Sequence, residues 1–292
     1  MNSITLFLTN KCNLHCDYCI VNIGNKSINE NNFSCLYNFL SKNIKKIDTI
    51  KFLGGEPLIE YNKIKKIANI SKNINFELAT NGYFINKEIA DFLKEKNFKV
   101  NLSLDFQNKN YTEKSEYFKG YKDFYFSLTL TPENLDNAYE FVKGFYKKGF
   151  RNYNILPVFY NNLWTDSDIE KLKLLYKKLL SLKIGYKELF FEGVNDGDEK
   201  LLNYDKIFIN YDGEIFLSDV VENYIGIGGD LKDSAKIGNI KDVENIDSLN
   251  KIIKEKEYLI DSYLKSFEEK EKKLFDVVDY FSTYYNKISK YY

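Results

Sequence analysis

Six short apolar runs, separated by longer amphipathic ones, fill the first 182 residues, and this alternation restricts the chain to folds built on a parallel sheet. The runs are Ile4–Thr9, Thr49–Leu53, Asn75–Ala79, Lys99–Leu104, Asp123–Leu130 and Tyr153–Val158. Parallel neighbours need a crossover of a dozen or more residues, usually a helix, and every interval here is long enough for one. Six such units fall short of a closed eight-stranded barrel, so the expected class is α/β with a partial (β/α)6 barrel. Thr165, with Asp168 three residues on, marks the clearest helix start, a capping-box-like entry into IEKLKLLYKKLL. After Lys183 the period changes. Glu188–Glu192 reads as a strand, and IFINYDGEIFLSD, residues 207–219, reads as a hairpin turning at Asp212-Gly213. The expected organisation is a barrel over 1–183, a small α+β extension over 184–245 and charged helices over 246–292.

Composition excludes several classes. Of 292 residues 44% are hydrophobic and 29% charged, as in globular proteins rather than disordered ones. No apolar run approaches the ~18 residues of a spanning helix. The first eight residues lack the basic start and long apolar stretch of a secretory signal, so the expected location is the cytoplasm, with no membrane association. Forty-two Lys plus Arg balance forty-two Asp plus Glu. No global field therefore draws the chain to nucleic acid.

Chemistry enters with Cys12-Asn-Leu-His-Cys16-Asp-Tyr-Cys19, a C-x3-C-x2-C spacing directly after the first strand. Chance would produce this spacing on the order of 10⁻³ times in such a chain. Three thiols within eight residues make a poor disulfide framework and a good metal site. Electron-transfer [4Fe–4S] clusters take four cysteines, so three leave one iron open. The amino and carboxylate groups of S-adenosylmethionine can chelate that iron, and an electron from the cluster can then break a sulfonium C–S bond. The alternative is zinc held by Cys12, Cys16, Cys19 and His15, the single histidine; adjacency of His15 and Cys16 makes a shared tetrahedral ion awkward.

From the cysteines onward the chain resembles the radical SAM superfamily. The resemblance implies one [4Fe–4S] cluster on Cys12, Cys16 and Cys19, S-adenosylmethionine as cosubstrate, and a flavodoxin- or ferredoxin-type electron donor. It implies that Tyr18 lies against the adenine. FLGGEP supplies Gly54, Gly55, Glu56 and Pro57 after the second strand, matching the family loop whose backbone and carboxylate receive the methionine ammonium. Glycines permit close backbone approach, and a carboxylate complements an ammonium. Asn81 in ATNG, Ser103 and Asp105 in SLD, and Leu156 in ILPV stand where the family contacts the cofactor. All these segments fall at C-terminal strand ends, where a parallel barrel assembles its site.

Some features depart from the pattern. NYDGEIFLSD and KIGNI (236–240) resemble the SPASM or twitch extensions of peptide-modifying members, which bind auxiliary clusters through several cysteines. No cysteine follows Cys35 here, and Ser218 stands where one is expected, so a single cluster is predicted. Phe106 replaces a common glycine after SLD. With the barrel starting at residue 4, no leader-recognition domain is expected before it. Cys35 in FSCLYNFL reads as core, or alternatively as a thiol hydrogen donor, and with Asp105 it is a candidate catalytic residue. Trp164 reads as a hydrophobic staple to the last barrel helix, or as lining the substrate mouth.

The implied activity is reductive cleavage of S-adenosylmethionine to a 5′-deoxyadenosyl radical, which abstracts hydrogen from a peptide or protein substrate in ribosomal peptide maturation, by epimerisation or crosslinking. Lack of auxiliary clusters favours a redox-neutral outcome such as epimerisation. The alternatives are a radical enzyme acting on a small metabolite or nucleotide, and a non-catalytic iron–sulfur binding module.

Overall fold

A computed structural model describes residues 3–19, 21–104, 111–159, 164–192, 206–217, 235–256, 258 and 272–291. Strands and helices alternate in the order β1 (Ser3–Phe7), α1 (Glu30–Asn43), β2 (Thr49–Leu53), α2 (Tyr61–Ala68), β3 (Asn75–Thr80), α3 (Lys87–Glu95), β4 (Lys99–Leu104), α4 (Tyr111–Glu116), β5 (Phe124–Leu130), α5 (Leu135–Lys147), β6 (Asn152–Pro157) and α6 (Asp166–Gly185). β7 (Phe190–Glu192), β8 (Lys206–Asn210), β9 (Glu214–Phe216), β10 (Lys236–Asn239), a helical stretch over 246–256 and α7 (Lys272–Tyr291) follow. The architecture is mixed α/β, with parallel strands and helical crossovers, the partial (β/α)6 barrel expected from the alternation. By compactness the chain divides into two units, residues 1–101 with 203–264 and residues 102–202 with 265–292.

In the first unit the strand order is β10-β9-β8-β1-β2-β3, followed by the first three residues of β4. β1 pairs in parallel with β2, Ser3 opposite Thr49 through Phe7 opposite Leu53, and β2 pairs likewise with β3. On its other side β1 pairs in parallel with β8, Ser3 opposite Lys206 through Phe7 opposite Asn210. β8, β9 and β10 then run antiparallel. The anticipated hairpin is therefore present over its described part, residues 206–217, and continues the barrel sheet. Ser218 and Asp219 lie outside the described residues.

Alternating residues explain which face is sealed. Ile4, Ile50, Phe52, Phe76, Leu78 and Val100 are at most 3% exposed. Phe52, Phe76 and Phe98 stack at 5.1–6.3 Å between ring centroids, and Phe92 of α3 packs on Phe98. Burying one such ring contributes about 1.5–3 kcal/mol, so this layer anchors the helices to the sheet. Residues between them in sequence face the other way and are only half-buried, as the burial patterns of β2 and β3 show.

The second unit repeats the arrangement with β5, β6 and β7 in parallel. Phe126 packs on Phe141, Phe145, Phe150 and Tyr153 at 4.7–5.9 Å. Thr165 caps α6, its side chain accepting from the Asp168 amide while Asp168 accepts from Thr165, so the capping box is complete. The indole N–H of Trp164 donates to the Val158 carbonyl at 2.8 Å, which ties the entry of α6 to the end of β6. The strand expected at Glu188–Glu192 is shorter, Phe190–Glu192, because the Leu189 amide closes a turn onto the Tyr186 carbonyl instead. In α7 Phe281 stacks on Tyr176 at 4.3 Å and the Tyr285 hydroxyl accepts from the Phe191 amide at 3.2 Å, so the C-terminal helix docks on α6 and β7.

Candidate active site

Every segment of the site begins where a strand of the sheet stops. Beyond β1 the chain leaves at Thr9–Asn10, runs through the three cysteines and returns at Lys26–Ser27. Both ends of this loop are stapled. Thr9 Oγ1 donates to the Lys26 carbonyl at 2.8 Å and lies 2.9 Å from Ser27 Oγ. The Asn10 amide donates to the Lys26 carbonyl, the Gly24 amide donates to the Asn10 carbonyl, and Asn10 Oδ1 accepts from the Lys26 amide at 2.8 Å. A side chain at Gly24 would run into the Asn10 carboxamide at 2.7 Å.

Within the loop Cys12 and Cys16 are half-buried and Cys19 is exposed. The Cys19 amide closes a turn on the Cys16 carbonyl, and Cys12 Sγ accepts from the Leu14 amide at 3.4 Å. Burial is the main cause that raises the pKa of both Cys12 and Cys19. His15 is exposed. Among the described residues no three Cys, His, Asp or Glu side chains converge as a single-ion site. A [4Fe–4S] cluster takes each thiolate on a different iron, so three separated sulfurs on one loop fit it.

The GGEP loop after β2 is pressed against the base of the cysteine loop. The Gly55 amide donates to the Thr9 carbonyl at 3.0 Å and the Glu56 amide to the Lys11 carbonyl at 2.7 Å. A Cβ on Gly55 would overlap the Lys11 carbonyl, so glycine is required by this approach. Pro57 opens a 3₁₀ turn, Pro57–Glu60, and is buried. Glu56 is fully buried. Its Oε1 accepts from the Leu58 amide at 3.0 Å and the Thr80 hydroxyl at 2.8 Å, and its Oε2 from the Asn81 amide at 2.8 Å. Burial pushes its pKa up to about 7 against the lowering effect of those bonds. The carboxylate thus joins the β2 loop to the β3 loop, and the exposed hydrogen-bonding surface of GGEP is its backbone.

Asn81 completes the linkage. Its Nδ2 donates to Asn13 Oδ1 at 3.0 Å and reaches Cys12 Sγ at 3.7 Å. Tyr18 is half-buried on the cysteine loop. Cys12, Cys16, Cys19, Tyr18, Gly54, Gly55, Glu56, Pro57 and Asn81 accordingly all belong to the first unit. Ser103 and Leu156 occupy the penultimate positions of β4 and β6 in the second unit, both half-buried, with Leu156 opposite Thr129. Asp105 and Phe106 lie outside the described residues. Cys35 is half-buried in α1, away in sequence from any of these loops.

The sequence alone did not reveal Thr80, Asn10 or Tyr211. Thr80 stands inside ATNG, beside the residue singled out there. Tyr211, at the tip of β8, accepts a hydrogen bond from Asn10 Nδ2 at 3.3 Å, and Lys26 lies over its ring at 5.8 Å. The hairpin thereby braces the cysteine loop from the side opposite GGEP.

A family model described as the radical SAM superfamily matches residues 6–175. The chain belongs to that superfamily. Radical SAM enzymes carry a [4Fe–4S] cluster and use S-adenosylmethionine, and this chain is a radical SAM enzyme. It is 30% identical over 264 residues to an uncharacterized protein of Methanocaldococcus jannaschii, covering 81% of this chain and 91% of that one. It is 26% identical over 223 residues to the radical SAM cyclopropyl synthase TigE of Paramaledivibacter caminithermalis, 61% of this chain and 46% of TigE. Over 115 residues it is 33% identical to a GTP 3′,8-cyclase of Aliarcobacter butzleri, 37% of this chain and 35% of the cyclase. Against these two the chain spans less than half of the relative's length. In fold it is similar to native anSMEcpe solved with bound AdoMet and the Kp18Cys peptide, with a TM-score of 0.67 and 20% identity over 83% of this chain and 78% of that one. No described helix is long and apolar enough to cross a membrane.

Proposed function

We propose that this radical SAM enzyme abstracts hydrogen from a peptide or protein side chain, with a redox-neutral outcome such as epimerisation. The observation that carries the reading is the hairpin of residues 206–217, which extends the barrel sheet beside β1 and braces the cysteine loop while the chain has no cysteine after Cys35. Such an extension supplies a wall for an extended substrate and no second cluster to accept a further electron. Relatives support it: TigE is a cyclopropyl synthase, and anSMEcpe was solved with a peptide. The partition into barrel 1–183, extension 184–245 and helical segment 246–292 belongs to this proposal.

The residue roles are those that the family resemblance implies. Cys12, Cys16 and Cys19 would hold the cluster, which, when bound, supplies the electron that cleaves S-adenosylmethionine. Gly54 and Gly55 present backbone to the methionine moiety, Glu56 and Asn81 hold the two loops together, Tyr18 covers the adenine, and Ser103, Asp105 and Leu156 meet the rest of the cofactor. The electron donor is of flavodoxin or ferredoxin type.

The test is anaerobic reconstitution with iron and sulfide, addition of S-adenosylmethionine and dithionite, and measurement of 5′-deoxyadenosine with and without added candidate peptides and nucleotides. Turnover in D2O that adds one deuterium per modified residue supports epimerisation. Deoxyadenosine raised by nucleotides and not by peptides would establish the second reading, favoured by the similarity to the GTP 3′,8-cyclase. Bound iron without cleavage would leave an iron–sulfur binding module.

A further inference from the structure

One side chain of the loop after β3 is aimed at a cysteine sulfur. The Asn81 carboxamide nitrogen carries two hydrogens; one goes to Asn13 Oδ1 at 3.0 Å and the other meets Cys12 Sγ at 3.7 Å. Its Oδ1 accepts from the Tyr83 amide at 2.9 Å, which fixes the end of the carboxamide that faces the sulfur. Both partners are fastened to Glu56. The Glu56 amide donates to the carbonyl of Lys11, one residue before Cys12, at 2.7 Å, and Glu56 Oε2 accepts from the Asn81 amide at 2.8 Å. Donor and sulfur are therefore brought together by backbone bonds to one fully buried residue, rather than by a side-chain rotamer on an open loop.

Cys12 and Cys19 are served differently. Cys12 Sγ also accepts from the Leu14 amide at 3.4 Å, so two N–H groups converge on it. Cys19 Sγ instead lies 3.8 Å from the Val21 carbonyl, which has no hydrogen to give. A neutral N–H beside a thiolate stabilises added negative charge without bringing in a counter-charge. Hydrogen bonds to the ligand sulfurs are among the factors that set the reduction potential of an iron–sulfur cluster.

We propose that Asn81 tunes the cluster: its Nδ2–H donates to the Cys12 thiolate and raises the reduction potential, which eases entry of the electron. That electron comes from the flavodoxin- or ferredoxin-type donor; Asn81 supplies only a hydrogen bond and gives up no proton. It is a positioning residue that acts through Cys12. The inference rests on Cys12 as a cluster ligand, as proposed above, and gives Asn81 a role beyond joining two loops.

Midpoint potentials of the reconstituted proteins, poised without S-adenosylmethionine and read by electron paramagnetic resonance, test the contact. Asn81→Leu keeps the bulk and has no N–H. Its cluster should be about threefold to tenfold harder to reduce, a fall of about 30–60 mV for one electron. Asn81→Asp keeps the acceptor for the Tyr83 amide and puts an oxygen where Nδ2 stood, so its midpoint should fall further than that of Asn81→Leu. Asn13→Ala removes the other partner of the same nitrogen, leaves the sulfur contact in place, and should keep the wild-type midpoint. A loop-holding role would instead make Asn13→Ala behave like Asn81→Leu. The proposal is overturned by equal midpoints in wild type and Asn81→Leu, by an equal shift in Asn13→Ala, or by loss of iron from both Asn81 variants while Asn13→Ala retains it. Iron content of Cys12→Ala separates the two levels. Wild-type iron in that variant removes the ligand assignment on which the inference rests; lost iron there, with an unmoved midpoint in Asn81→Leu, removes the hydrogen bond alone.

Discussion

Replacing Glu56 by Gln should flatten the dependence of stability on pH. The Glu56 carboxyl is fully buried, and burial raises its pKa from the ordinary 4.5 to about 7 in the folded chain. Between those values the folded protein holds a proton that the unfolded chain has released. Stability therefore falls as pH rises through this window, and it levels off once both states are ionised. That separation corresponds to about 3 kcal/mol across the window. Gln cannot ionise, so this component disappears. The amide also turns one N–H₂ towards the donors of Leu58, Thr80 or Asn81, which lowers stability at every pH by about 1–3 kcal/mol. Urea unfolding of both proteins without cluster, from roughly pH 5 to pH 8, gives the difference directly. The wild type should lose about 2–3 kcal/mol more than Glu56→Gln over that range. Parallel curves for the two proteins would show that Glu56 is ionised throughout, and would refute the argument that burial outweighs its three hydrogen bonds.

Other expectations concern single contacts. Gly55→Ala drives a methyl into the Lys11 carbonyl, so the reconstituted variant should bind less than half the wild-type iron by colourimetric assay while its far-ultraviolet dichroism is retained. Tyr211→Phe removes the acceptor for Asn10 Nδ2 and should lower stability by about 0.5–1.5 kcal/mol and alter the electron paramagnetic resonance of the reduced cluster, since the cysteine loop loses one brace. Thr165→Ala removes the cap of α6 and should cost about 0.5–2 kcal/mol in urea unfolding with deoxyadenosine formation unchanged.

Most of the strands were legible because their periodicity is local. Phe124–Leu130 alternates buried and half-buried residues without exception, and Thr49–Leu53 does the same. The cap at Thr165 is equally local, three residues wide. Trp164 is anchored by its indole N–H to Val158, a contact that hydrophobicity patterns do not encode. The parts that were not legible depend on chain segments far apart. Asn10 and Tyr211 meet across 201 positions, and Glu56 finds Thr80 and Asn81 only once β2 and β3 are paired. The surroundings of Glu56 show the same limit: the family resemblance implies an ammonium ligand for the GGEP carboxylate, and its burial against two loops is a property of the assembled sheet.

The pairing of β1 with β8 also orders events in time. Ser3 emerges from the ribosome about two hundred residues before its partner Lys206. Until then the strand that leads into the three cysteines has one open edge, and open edges recruit foreign strands. At ordinary elongation rates the wait is about 10–40 s, far longer than a helix or hairpin needs to form. The mature cysteine loop, braced by Tyr211, is therefore a late product of translation. Iron–sulfur assembly on this chain is best matched to a polypeptide synthesised past β8, and truncations ending before β8 should collect as insoluble protein rather than as a smaller working barrel.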